Sequence, residues 1–107
     1  MTNLLPVRQD TAEVWLMPIF IAKAGYEADL QEALTVLQAE SRQDPGCLEY
    51  TVFSDDQRPG TFVLFEGWTC REELTAHNEE SHVKEFVKEA APLLAVPFSV
   101  SPLTRLA

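Results

Sequence analysis

Two strand-length runs joined by a short turn-rich segment constrain this chain more than any other feature. Residues 47–53 (Cys-Leu-Glu-Tyr-Thr-Val-Phe) and 61–68 (Thr-Phe-Val-Leu-Phe-Glu-Gly-Trp) are rich in β-branched and aromatic side chains. Between them lies Ser54-Asp55-Asp56-Gln57-Arg58-Pro59-Gly60. Pro, Gly and Asp supply the dihedrals and side-chain bonds that reverse a chain, so the spacing predicts a β-hairpin. If paired residue numbers sum to about 114, Leu48, Tyr50 and Val52 share a face with Phe62, Leu64, Glu66 and Trp68. Thr51, Phe53, Val63 and Phe65 then share the other. Both faces are apolar enough to need cover, which one layer of helices cannot give.

The flanking segments complete the pattern. Residues 14–22 are a run of β-formers interrupted by Pro18, which cannot donate to a ladder and points to an edge or a bulge. After Lys23-Ala24-Gly25 the apolar period lengthens to 3.6. Leu30, Ala33, Leu34, Leu37 and Ser41 form one stripe of a helix of about four turns, stopped by Asp44-Pro45-Gly46. Thr69 and Glu72 have capping-box spacing, placing a helix start directly after Trp68. That helix should break near Glu79-Glu80-Ser81, restart with Ser81 as N-cap, and bury Val83, Phe86, Val87 and Ala90 before Pro92. Residues 98–103 supply a last strand. The order is β-α-β-β-α-β, an α+β ferredoxin-like arrangement with a four-stranded antiparallel sheet and helices on one face. Residues 1–12 read as an N-terminal tail and 13–107 as one domain.

Charge narrows the partners. Eight Lys+Arg against 17 Asp+Glu give a net charge of −9, the wrong sign for holding a phosphate backbone, so nucleic acid is excluded as a partner. Glu72, Glu73, Glu79, Glu80, Glu85 and Glu89 lie in the second helical region and read as its solvated face. No run approaches the roughly 20 apolar residues that span a bilayer, and residues 1–10 lack a signal-peptide pattern, so no membrane partner and a cytoplasmic place are expected. Cys47 and Cys70 lack metal-site spacing and read as free, packing thiols.

Three segments carry a resemblance: Asp44-Pro45-Gly46-Cys47-Leu48-Glu49-Tyr50, Phe62-Val63-Leu64-Phe65-Glu66-Gly67-Trp68, and His77-Asn78-Glu79-Glu80-Ser81-His82-Val83. Together they resemble the antibiotic biosynthesis monooxygenase domain, over about residues 14–103. The resemblance implies a homodimeric α+β barrel, each subunit keeping a cleft between its sheet and helices. It also implies a family whose members include cofactor-independent monooxygenases of quinols and anthrones. Relatives include haem-degrading enzymes and an isomerase of a phosphorylated signalling sugar, so function varies more than fold.

A cofactor-free oxygenase must make its substrate electron-rich, because triplet oxygen accepts one electron at a time from a closed-shell molecule. Deprotonating a quinol or anthrone does this, which calls for a base, a dry aromatic-lined pocket and donors for the anion. His77 and His82, the only histidines, are the candidate bases, with His77 first and His82 as a cap or gate. Glu66, inward between Leu64 and Trp68, needs a partner: a histidine from the overlying helix, or Arg71 or Lys84. Trp68, Phe62 and Leu64 are expected to form the pocket wall, and Tyr50 and Asn78 are candidate donors. A His-Glu pocket also suits a non-redox isomerase, and the fold alone suits a binding dimer. The first strand lacks the asparagine of haem-degrading relatives, and there is no haem motif, phosphate loop or clustered ligand set. The expectation is therefore no cofactor and no metal, with a small aromatic substrate and molecular oxygen as the other partners.

Overall fold

The computed structural model describes residues 12–107, so all but the last residue of the expected tail lies outside the described residues. The elements are β1 (Val14–Ile21), α1 (Glu27–Ser41), β2 (Cys47–Ser54), β3 (Thr61–Trp68), α2 (Arg71–Asn78), α3 (Ser81–Ala90), a 3₁₀ turn (Ala91–Leu93) and β4 (Ser99–Leu103). The strands form one antiparallel sheet in the order β2-β3-β1-β4. This is the ferredoxin-like α+β fold.

The core lies between the sheet and the helices. Leu30, Leu34, Leu37 and Ser41 recur along one face of α1 and are all buried, as a 3.6-residue period requires. The three leucines pack with Phe20 of β1, Tyr50 of β2, Phe62, Leu64 and Trp68 of β3, and Phe86 and Ala90 of α3. Phe20 meets Phe86 edge-on, with ring centroids 5.7 Å apart. Phe98, expected to open the last strand, instead precedes it and covers Phe20 from the side, with centroids 4.9 Å apart.

The hairpin pairs with numbers summing to 116, as in Tyr50 opposite Glu66 and Phe53 opposite Val63. That register is two away from the expected one, and since side chains alternate with period two, the face assignments survive. Leu48 is the exception. A bulge between Cys47 and Glu49 leaves it without a partner, so it is exposed while Cys47 packs against the core in its place.

Pro18 does not mark an edge. β1 is an interior strand, with Pro18 opposite Val100 of β4, and its ladder to β3 stops at Leu16 and resumes at Ile19. An interior strand tolerates a residue lacking N–H by giving up the pairing there.

Neither expected cap forms. Helix α2 starts at Arg71 with Cys70 as N-cap and no side-chain cap bond. Thr69 is held in the sheet-to-helix crossing, where its N–H donates to the Gly46 carbonyl at 2.9 Å. Helix α3 starts at Ser81 itself, after Glu80. Val87, expected inside, is exposed, because Phe86 and Ala90 define the inward stripe one position away.

Gly46 fixes how α2 sits on the sheet. Its φ of +81° is a left-handed conformation that favours glycine. A Cβ there would lie 2.5 Å from Glu73 Cγ and 2.8 Å from Thr69 Oγ1. The turn after α1 and the first turn of α2 thus touch through the one residue type that lets them.

The other sheet face carries no helix. Trp15 stacks on Phe65 with centroids 5.4 Å apart. Its ring lies over Gly67, where a Cβ would come within 2.1 Å. Phe53 is 54% exposed on this face, and Ile21 is exposed as well.

Candidate functional site

His77 and His82 are five residues apart, which in one unbroken helix would set them about 140° apart around the axis. The break at Glu79–Glu80 ends α2 and starts α3 on a new axis, and both imidazoles then reach a single atom. His77 Nδ1 lies 2.7 Å from Asp44 Oδ2, and His82 Nε2 lies 2.8 Å from the same oxygen. A carboxylate accepts, so each ring presents an N–H to it, which leaves His77 Nε2 and His82 Nδ1 turned away from Asp44. The side chains of His77 and Asp44 are only 3% and 9% exposed, that of His82 16%.

Asp44 sits in the turn after α1, where its own N–H donates to the Ser41 carbonyl and its carbonyl accepts from Cys47 N–H. The Gly46 contact with Thr69 and Glu73 seats this turn against the start of α2, which places the carboxylate under the histidines.

Beneath His77 lie the aromatic residues of the sheet. Its ring lies 4.4 Å from that of Trp68, centroid to centroid, with planes inclined by 34°. Tyr50 meets His77 edge-on at 5.5 Å and Trp68 at 6.3 Å. Burial lowers the His77 pKa, opposed by its hydrogen bond and attraction to Asp44. Burial, aided by the nearby Glu66 carboxylate, pushes the Tyr50 phenol upward, so it stays a protonated donor.

The structure thus brings together His77, His82, Trp68 and Tyr50, and Glu66 joins them through the indole. Trp68 Nε1–H donates to Glu66 Oε1 at 2.7 Å. Glu66 pairs with neither histidine nor with Arg71 or Lys84; Lys84 instead meets Glu79 at 2.9 Å. Burial raises the Glu66 pKa, and the indole bond partly offsets this. Phe62 and Leu64 lie in the same buried layer, whereas Asn78, the last residue of α2, is exposed.

Trp68, Tyr50 and Glu66 are closed off by packing. The largest described cleft, about 510 Å³, runs instead between α1 and α3. Ala33, Leu37 and Phe86 line its apolar part, Glu40 and Glu85 contribute acid, and His82 is its link to the cluster.

Asp44 is the site residue that sequence reasoning missed. It reads locally as a helix stop, and its partners stand 33 and 38 positions further along the chain. The only available signal was a carboxylate in a turn within one of the three family-like segments.

Comparison with known proteins agrees with this architecture. The family model described as antibiotic biosynthesis monooxygenase matches residues 19–89, about two thirds of the chain. The solved structure of PA3566 from Pseudomonas aeruginosa is 28% identical with a TM-score of 0.85, covering 92% of this chain and 98% of that one. Rv0793 from Mycobacterium tuberculosis shares the fold at 24% identity and a TM-score of 0.84, covering 90% of this chain and 97% of that one. A curated relative, uncharacterized protein sll1783 of Synechocystis sp., is 35% identical over 60 residues. That match covers 56% of this chain and spans 41% of the relative's length.

Proposed function

The chain belongs to the antibiotic biosynthesis monooxygenase family, and from that premise we propose that it oxidises a small aromatic quinol- or anthrone-like substrate with molecular oxygen, without a cofactor. The observation that carries the reading is a buried histidine held by a carboxylate against a tryptophan ring. His77 Nε2 takes the substrate proton, while Asp44 Oδ2 accepts from Nδ1–H and stabilises the resulting imidazolium. The flat face of Trp68 suits a stacked aromatic anion. The Tyr50 hydroxyl is a donor for the developing negative charge, and Glu66 holds the Trp68 indole in place by accepting from its N–H.

The substrate supplies every electron. The carbanion gives one electron to oxygen, the radical pair recombines as a peroxide, and its O–O bond breaks as the carbon loses its second hydrogen. In an anthrone the CH₂ becomes C=O and the other oxygen atom leaves as water. Because Trp68 and Tyr50 are enclosed, this reading requires the site to open to admit a substrate.

The same proposal has a second copy of the chain covering the apolar sheet face around Trp15, Phe53 and Phe65, giving a homodimer. A cytoplasmic place belongs with it, supported by the unpaired thiols of Cys47 and Cys70. An isomerase of a phosphorylated sugar fits less well. The cleft beside His82 is lined by Asp29, Glu32, Glu40, Glu85 and Glu89, which repel a phosphate.

Oxygen uptake with a panel of quinols and anthrones tests the reading. One or more should be consumed with one oxygen molecule per substrate, and His77→Ala should slow turnover about 10²–10⁴-fold. Uptake unchanged in His77→Ala would remove that residue from the mechanism.

A further inference from the structure

The chain's only two histidines, carried by different helices, converge on one carboxylate oxygen. Hydrogen bonding alone gives little reason for this, since one imidazole already has its acceptor and the second could face water from the start of α3. Asp44, His77 and His82 each offer one donor atom within 4.8 Å of the other two. Among the described residues no other trio of His, Cys, Asp or Glu side chains does this.

We propose that Asp44, His77 and His82 form a binding site for one divalent first-row transition ion of the zinc class, open on its His82 side to the cleft between α1 and α3. Two imidazoles and one carboxylate are a donor set that zinc, cobalt and nickel accept and that magnesium and calcium do not favour. Such an ion takes N and O ligands at about 2.0–2.2 Å, so tetrahedral ligand atoms stand roughly 3.3 Å apart. The present 2.7 and 2.8 Å contacts then open by about half an ångström, within reach of small side-chain rotations. The ion takes the place of the two bridging hydrogens, leaving each ring neutral with its proton on the far nitrogen.

The surroundings favour an ion here. Asp44 and His77 are already desolvated, and Gly46 locks the Asp44 turn to α2, so little ordering remains to be done on binding. Three protein ligands leave coordination positions free, and the cleft that His82 lines offers water to fill them. Glu40 and Glu85 in its wall make it attractive to a cation.

This goes beyond the oxidation proposed above and does not depend on it. The two readings do meet at one atom. An ion on His77 Nδ1 keeps a proton on Nε2, so the metallated protein has no free base there, and the ion acts as an inhibitor of that oxidation.

The test is titration of the chelator-treated full-length protein with cobalt(II), followed by zinc(II). One cobalt per chain with visible d–d absorption, displaced by zinc, is the expected result. His82→Gln and Asp44→Asn should each weaken binding by about 100-fold or more, since even outer partners of a metal ligand are worth 10–100-fold, while Glu66→Gln should leave it unchanged. Unaltered affinity in folded His82→Gln, or no d–d band at saturating cobalt, would overturn the site. Should the variants not fold, histidine ¹⁵N spectra of the unmodified protein decide. Zinc must shift His77 Nδ1 and His82 Nε2, and resonances that stay in place overturn the proposal. Zinc bound with those shifts but oxidation undiminished would uphold the metal site and remove His77 as the base.

Discussion

The two faces of β3 solve opposite problems. Its even-numbered residues, Phe62, Leu64, Glu66 and Trp68, point at the helices and are all buried. There the fold encloses a carboxyl group and, just above it, two histidines and an aspartate. Its odd-numbered residues face away, where Val63 and Phe65 with Trp15, Ile21 and Phe53 leave apolar surface bare. Polar groups are buried where an ordinary core would be apolar, and apolar groups are bare where an ordinary surface would be polar. Each inversion costs free energy in an isolated chain, and each is what a function would need: a dry acid–base cluster on one side, an interface on the other.

The comparison breaks most visibly if the two tryptophans are exchanged for alanine in turn. Trp68→Ala empties a fully buried site and should cost about 3–5 kcal/mol, read as a lower denaturant midpoint. Trp15→Ala removes a ring that is only partly buried in the single chain. Its cost should be smaller in protein diluted to monomer than in concentrated protein, and a cost unchanged by dilution would show that the bare face is not an interface.

Phe65→Asp sharpens the second half of the contrast. Light scattering of the unaltered protein should give about twice the 12.0 kDa chain mass. The aspartate should bring that to one chain while leaving far-ultraviolet circular dichroism unchanged. A monomeric parent would sink the back-to-back arrangement.

Gly46→Ala acts on the joint that supplies Asp44. Its positive φ and the 2.5 Å approach to Glu73 predict a loss of about 1–3 kcal/mol. The histidine ¹⁵N shifts should move with it, as the carboxylate is displaced from both rings.

Glu66→Gln carries the smallest effect and a definite sign. The folded-state pKa of Glu66 is raised by burial, so its contribution is fully present below the ordinary carboxylate range and lost as pH rises through the raised value. The glutamine amide would stay neutral at every pH and still accept from the indole. The variant should therefore match the parent in thermal midpoint near pH 4 and exceed it at pH 8. A parent that gains on the variant as pH rises would mean that the carboxylate is held by a cation instead.

Much of this fold was legible because it rests on local periods. The stripe of Leu30, Leu34 and Leu37 marks α1, and the alternation around Tyr50 and Leu64 marks the hairpin. The face assignments withstood a two-residue change of register because alternation has period two. What failed was set by how the packed elements meet, which a local pattern does not show. Thr69 has capping-box spacing, but its N–H is engaged by Gly46. Leu48 has the right parity, but the bulge before Glu49 removes it from the alternation. Glu66 needed a partner, and that partner is the indole two residues along its own strand, while Lys84 of the overlying helix pairs with Glu79 instead.

By itself the sequence determined the order of elements, the apolar character of both sheet faces, and the two histidines available for proton or metal chemistry, because composition and periodicity act over a few residues at a time. Only the tertiary structure decided that both histidines turn to one oxygen of Asp44. That meeting needs the Glu79–Glu80 break to redirect a helix and Gly46 to seat a turn against it, and contacts made across 33 and 38 residues leave no periodic trace in the chain.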